Sequence, residues 1–360
     1  LMKKGTKSAP PVSADPGNWG GLFRVAIVGA ATLKGRELKD VLSERNFPSH
    51  DIRLLDDDES LGQLEAVGDE PTFIQAVLPE HLDHVDFTFF ASDEKFTSTT
   101  WAMVKNTGSD VIDLSHGLEG QAGVVLRAPW IERELGSVPR VDLVGAPVMI
   151  AHSASMVLAL LLLRAAKAGK IVRSIATVCE PASERGKRGM DELHEQTINL
   201  LSFQQMPMAV FDTQVAFNLI DRYGAKSLPR LDAIEERVRS DFRQIVQDHA
   251  EMPSLMLVQA PIFHGHTFSL YIELDGAASL EEMKAALSGE HVDVWHGDED
   301  APSNVNAAGQ EQIQVAVRRD AMRENGFWIW ATSDNLRVAA VAAVECAESL
   351  VPGRPRGTVQ

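Results

Sequence analysis

The chain has 360 residues, 44% of them hydrophobic and 24% charged, and a net charge of −17. That length accommodates two domains and the composition is that of an ordinary globular protein. The acidic balance argues against nucleic-acid binding, which needs clustered Lys and Arg, and no run approaches the roughly 18 apolar residues of a membrane span. Residues 1–21 are polar and lack an apolar core, so they read as a disordered leader and not a secretory signal. Cys179 and Cys346 stand far apart, give no disulfide framework, and fit a reducing cytoplasm.

Phe23–Val28 is a short apolar run closed by Gly29, which predicts a buried strand. Leu38, Val41 and Leu42 fall at helical spacing and predict a helix over Lys34–Arg45. Asp51–Leu55 is a second strand, ending in the acidic run Asp56–Glu59. Val85–Phe90 and Asp110–Leu114 follow as strands, with a helix over Phe96–Lys105 between them. Strand, glycine turn, helix and strand in repeated order predict an α/β fold with a parallel sheet covered on both faces. The order changes near Val148. A helix over Met156–Ala168 leads to a strand at Ile171–Val178 and helices at Gly189–Leu201 and Ala233–Gln247. Strands follow at Leu255–Ala260, Thr267–Glu273, Glu311–Val317 and Phe327–Thr332, which predicts an α+β block with a larger, antiparallel sheet. The Ala- and Val-rich Asn335–Leu350 reads as a buried final helix that packs on a neighbouring element, with Pro352 beyond its end.

Three local segments are more specific than this order. They are Arg318-Arg-Asp-Ala-Met-Arg-Glu-Asn-Gly-Phe-Trp-Ile-Trp-Ala-Thr-Ser-Asp-Asn-Leu-Arg337, Gly186-Lys-Arg-Gly-Met-Asp-Glu-Leu193 and Ala260-Pro-Ile-Phe-His-Gly-His-Thr267. With Val25-Ala-Ile-Val-Gly-Ala30, they resemble the aspartate-semialdehyde dehydrogenase family over roughly Phe23 to Leu350. The resemblance implies a homodimer with two domains per subunit. One is a Rossmann-like dinucleotide-binding domain, residues 22–147 plus 334–352; the other is an α+β dimerisation and substrate domain, residues 148–333. It also implies NAD or NADP as cofactor. In the family a cysteine thiolate attacks the aldehyde, a histidine takes the proton, hydride passes to NADP and phosphate releases the acyl group.

Several positions that the resemblance points to carry the wrong chemistry. The nucleophile loop corresponds to Pro147-Val-Met-Ile-Ala-His-Ser-Ala-Ser-Met156. Counting from its proline puts the cysteine position at Met149, and counting back from the helix puts it at Ala151; neither is a thiol. The nearest hydroxyls are Ser153 and Ser155. Ser155 reads either as a displaced nucleophile beside His266 or, like Ser153, as a helix cap. The carboxylate-gripping arginine, seven residues before the catalytic histidine, is Gln259. Arg237 stands where the family has a substrate-contacting lysine; the other reading is a solvated helix charge. The phosphate-binding arginine corresponds to Glu119, and like charges at about 4 Å repel by about 4 kcal/mol at an effective dielectric of 20. The glutamine that steadies the thioester oxygen corresponds to Glu180, whose charge opposes an oxyanion and which can instead orient His266.

The dinucleotide loop, Gly29-Ala30-Ala-Thr32-Leu-Lys-Gly35, keeps its outer glycines and places Thr32 at the centre. Asp56–Glu59 would repel the 2′-phosphate of NADP and accept a ribose hydroxyl of NAD, or is simply an exposed acidic loop. Ala339 and Ala343 replace a family glycine and asparagine. His266 persists. His264, two residues away in the predicted strand, shares its face, and with His152 the pair is a weak zinc pattern; no metal is expected. These differences predict a cytoplasmic, catalytically degenerate paralogue acting as a binding or regulatory dimer with an unidentified protein partner. The competing readings are an active semialdehyde dehydrogenase of amino-acid biosynthesis and a hydrolase built on Ser155, His266 and Glu180.

Overall fold

The computed structural model describes residues 23–67, 70–137, 141–297 and 300–353; the expected leader lies outside them. Two sheets organise the chain. The first is built from β1 (Phe23–Val28), β2 (Ser49–Asp56), β5 (Gln75–Ala76), β6 (Phe87–Phe90), β7 (Asp110–Asp113), β8 (Val125–Arg127) and β9 (Val148–Ile150). Their order is β5-β2-β1-β6-β7-β9-β8, and each neighbouring pair is parallel. A small hairpin of β3 (Leu64–Val67) and β4 (Glu70–Phe73) lies outside it. The helices that return the chain are α1 (Leu33–Glu44), α2 (Pro79–Leu82), α3 (Glu94–Val104) and α4 (Pro129–Glu134). Such crossovers bury both faces of the sheet, so its central strands are buried at every position, as Phe87–Phe90 is.

β9 runs directly into α5 (Ser153–Ala165), which begins the second layer set. There follow β10 (Ile171–Glu180), α6 (Gly186–Leu201), α7 (Leu231–Val246), β11 (Ser254–Gln259), β12 (His266–Leu274), α8 (Leu280–Leu287), β13 (Val292–Val294), α9 (Asn304–Ala307), β14 (Ile313–Arg319), β15 (Gly326–Ser333) and α10 (Asn335–Leu350). The second sheet has the order β11-β10-β12-β15-β14-β13. It is neither the larger sheet nor purely antiparallel, because six strands face seven and the outer pairs β10–β11 and β13–β14 are parallel. The reason is connectivity: helices α6 and α7 lie between β10 and β11, so the chain returns in the same direction.

The inner face of this sheet is the core side, carrying Ala176, Val178, Leu257, Phe268, Leu270 and Ile329, all buried. Its outer face carries Ile175, Met256, Tyr271, Trp328 and Trp330; Trp330 is 45% exposed and Met256 54%. α10 packs along α1, and Arg337 clamps the pair by reaching Glu37 at 2.9 Å and also Glu44. No helix among the described residues is long and apolar enough to cross a membrane.

Candidate functional site

The pocket forms where the two sheets meet. Its lining includes Lys34, His116, Ala151, His152, Glu184 and Asn335, and it has room for about one water molecule. Ala151 is the first residue beyond β9, so it settles at the pocket wall. Met149 instead lies buried within β9, between Asp113 and Leu126. The register counted from the helix is therefore the one that reaches the pocket.

His152 caps α5, accepting the Ala154 amide on Nδ1 at 3.2 Å. The capping expected of Ser153 or Ser155 falls to this histidine. The Ser155 hydroxyl donates to the Val238 carbonyl on α7 at 3.0 Å, and no hydrogen bond joins it to His266 among the described residues. The Ser155, His266 and Glu180 constellation is thus incomplete. Helical geometry explains the miss: α5 turns residue 155 away from residue 152 and toward α7.

His266 opens β12 directly opposite Glu180, the last residue of β10. Both side chains are fully buried, with His266 Nε2 at 3.2 Å from Glu180 Oε2. The other oxygen of Glu180 accepts from Arg185 at 2.9 Å. Glu184 Oε1 lies 3.9 Å from His266 Nε2 and accepts from Asn335 Nδ2 at 2.8 Å. Burial alone would raise both carboxyls. At Glu180 the hydrogen bond with His266 and the Arg185 charge outweigh it and hold the group below the usual range. At Glu184 the charges of Lys34, the histidines and Arg185 do the same and hold it well below. Burial pushes the His152 imidazole down to about 4, so it is neutral at pH 7. His116, also buried, is held well below its ordinary value for the same reason. The rings of His116, His152 and His266 form a row with successive centroids 5.9 Å apart.

His264 does not join this row. Gly265 adopts a φ of +84°, and β12 starts only at His266, so the alternation that would put both histidines on one face stops there.

The other expected groups are tied up. Gln259 is buried; its amide nitrogen donates to the Glu180 and Ala260 carbonyls, both at 2.9 Å, and its oxygen accepts from the Tyr223 hydroxyl at 2.6 Å. Arg237 is not a solvated charge. Its guanidinium reaches Glu94 at 2.6 Å and Glu119 at 2.9 Å, so Glu119 is ion-paired. Cys179 neighbours Glu180 on β10 and so faces the outer side of the sheet; Cys346 lies inside α10, where Arg127 donates to its sulfur at 3.3 Å. Neither thiol accompanies His266.

The loop before α1 is tight. Gly29 has φ +92°, and a Cβ there would fall 2.4 Å from the Ser92 nitrogen; one on Gly35 would fall 2.1 Å from the Gly29 oxygen. Ala30 is buried, its amide donating to the Leu55 carbonyl at 3.1 Å. Thr32 caps α1 by accepting the Gly35 amide at 3.0 Å, and its hydroxyl lies 2.8 Å from the carbonyls of Gly29 and Ala91. Asp56 is not part of an exposed acidic loop. It is buried, accepting the Ala31 amide at 2.7 Å and the Asp57 amide at 2.9 Å, while burial raises its carboxyl.

Sequence reasoning misses Lys34, His116, Glu184, Arg185 and Asn335 as site residues. Glu184 and Arg185 had a readable signal, two charges set between Ser183 and Gly186 in a turn entering a helix.

Residues 24–136 match the family model described as the semialdehyde dehydrogenase NAD binding domain, and residues 144–338 match the one described as the semialdehyde dehydrogenase dimerisation domain. The chain belongs to the semialdehyde dehydrogenase family. Within it, an aspartate-semialdehyde dehydrogenase of Rickettsia conorii is 28% identical over 335 residues, covering 91% of this chain and 98% of its own. A USG-1 protein homolog of Pseudomonas aeruginosa is 30% identical over 336 residues, covering 91% and 98%. The solved structure of aspartate semialdehyde dehydrogenase II of Vibrio cholerae complexed with ASA superposes with a TM-score of 0.79 at 25% identity, covering 92% of this chain and 99% of that one. The mixed sheet lies within the residues matched as the dimerisation domain, as does β9 of the parallel sheet, whereas the other strands of the parallel sheet fall in the stretch matched as the NAD binding domain.

Proposed function

We propose that this protein is an aspartate-semialdehyde dehydrogenase-like chain that does not carry out the dehydrogenase reaction and acts as a binding or regulatory dimer in the cytoplasm. The observation that carries this reading is Ala151 at the pocket wall, with both cysteine thiols elsewhere. A methyl group cannot form the acyl intermediate that hydride transfer to NAD(P) requires. The saturated Gln259 amide and the doubly paired Arg237 support it, since neither is free to grip a substrate carboxylate. The outer face of the second sheet, with Ile175, Met256 and Trp330 exposed, supports dimerisation, because an apolar sheet face of that kind favours a covering partner.

Incubation with aspartate semialdehyde, phosphate and either NAD or NADP is expected to give no nucleotide reduction above the uncatalysed rate. Robust turnover would establish the competing reading, an active dehydrogenase like the enzymes for which the Rickettsia and Vibrio relatives are named. Ala151→Cys is expected to leave turnover absent while adding a thiol that reagents detect, because the Gln259 and Glu119 differences remain.

Nucleotide affinity is part of the same reading. Asp56 occupies the Ala31 amide, and the buried carboxylate faces the loop that a 2′-phosphate would approach. Calorimetric titration is expected to show NADP binding weaker than NAD, with no micromolar NADP complex. Micromolar NADP affinity would contradict it.

A further inference from the structure

We propose that one divalent transition-metal ion sits at the inner wall of the pocket, with His152, Glu180 and Glu184 as its ligands and a water completing the set. The three side chains come from the start of α5, the end of β10 and the turn before α6, with His266 at the start of β12 beside them. His266 Nε2 stands 3.2 Å from Glu180 Oε2 and 3.9 Å from Glu184 Oε1. His152, Glu180 and Glu184 offer ligand atoms all within 4.8 Å of one another. Ligands about 2.1 Å from a tetrahedral ion stand about 3.4 Å apart, so small adjustments close this set around Zn²⁺.

Each carboxylate is steadied from behind. Arg185 holds one oxygen of Glu180 and leaves the other turned to His266; Asn335 donates to Glu184. That is the outer arrangement that fixes metal ligands in place. His152 spends Nδ1 on the Ala154 amide, so Nε2 is the ring nitrogen left to bind an ion. Nδ1 of His116, which lines the same pocket and is 7% exposed, is buried with no hydrogen-bond partner among the described residues. A buried polar atom without a partner is uncommon, and a water bound to an ion in the pocket supplies what His116 lacks.

A second cluster, Glu290, His291 and Glu345, shows what a filled position looks like. There Arg133 reaches Glu345 at 2.9 Å, His291 at 2.7 Å and Glu290 at 3.4 Å, so a guanidinium already sits among the ligands. In the pocket, Arg185 approaches only the outer oxygen of Glu180, and Lys34 donates to the Leu114 carbonyl at 3.3 Å without an ion pair to Glu184. One imidazole nitrogen, two carboxylate oxygens and a water form a donor set that suits Zn²⁺ or Co²⁺.

The test is titration of the chelator-stripped full chain with Co²⁺, read by its visible absorption, followed by displacement with Zn²⁺. One Co²⁺ per chain with tetrahedral bands, displaced by Zn²⁺, is expected. His152→Ala and Glu184→Gln should each weaken binding at least ~10-fold, and His264→Ala should leave it unchanged. Lys34→Met removes a nearby positive charge from a half-buried position and should tighten binding a few-fold; it retains the test if a ligand variant does not fold. Absence of the bands, wild-type affinity in folded His152→Ala and Glu184→Gln, loss of the signal in His264→Ala, or an unchanged affinity in Lys34→Met would overturn the proposal.

Discussion

Arg185→Ala is expected to destabilise the protein by about 3–5 kcal/mol at pH 7, measured by chemical denaturation. The guanidinium and the Glu180 carboxylate are both out of water, with side-chain exposures of 10% and 0%. Removing the cation strands a charge in the interior beside His266, and water cannot reach it to compensate. The loss should shrink toward acid pH. In the wild type Glu180 is held below its ordinary value, so its contribution is present above the unfolded pKa near 4.3 and fades as pH falls through the lower folded value. Without Arg185 the carboxyl instead titrates upward, and protonating it relieves the penalty. Replacing both partners, Glu180→Gln with Arg185→Met, should recover most of the loss. A single replacement with no effect on stability would show that the ion pair is solvated.

Asp241→Asn should have the opposite sign and stabilise the chain by about 2–3 kcal/mol above pH 7. Asp241 is buried on α7 and accepts a single hydrogen bond, from the His152 amide at 2.8 Å. Burial raises its carboxyl to about 6. A folded pKa above the unfolded value near 3.9 means that the native state holds more protons between those two pH values. Wild-type stability therefore falls as pH rises from about 4 to about 6, by about 1.4 kcal/mol for each pH unit between the two pKa values. Asparagine keeps an oxygen for the His152 amide and carries no charge. The gain should vanish below about pH 4, where the aspartate is neutral in both states. Thermal melts at pH 4 and pH 7.5 check both halves, and equal shifts at the two pH values would refute the argument.

How much of this was readable depended on how local each signal was. β1 and α10 run over Phe23–Val28 and Asn335–Leu350, the bounds that apolar pattern and capping residues predict. α8 escaped because Leu280–Leu287 has only eight residues, although Ser279 and Glu282 form a capping box that marks its start. β8 and β9 are three residues each, too short to show a period. The parallel outer pairs of the second sheet rest on contacts between distant segments, which no window of sequence contains. Within the site, nothing local told that Ser155 bonds to Val238, 83 residues away, or that Arg237 joins Glu94 and Glu119. The strand pattern misplaces His264 because a glycine in the left-handed region interrupts it, a backbone event that the side-chain alternation does not reveal.

The passage from β9 through His152 into α5 gives the pocket a mechanical character. Lys34 and His116 ride with the parallel sheet, whereas Glu184 and His266 ride with the mixed one, and this short stretch of backbone joins the two groups at the opening. The spacing of these two groups therefore depends on how the two layer sets sit against each other. Lys34, one residue before Gly35, lines the pocket beside His116 and His152, so whatever the Gly29–Gly35 loop holds stands next to the row of three imidazoles.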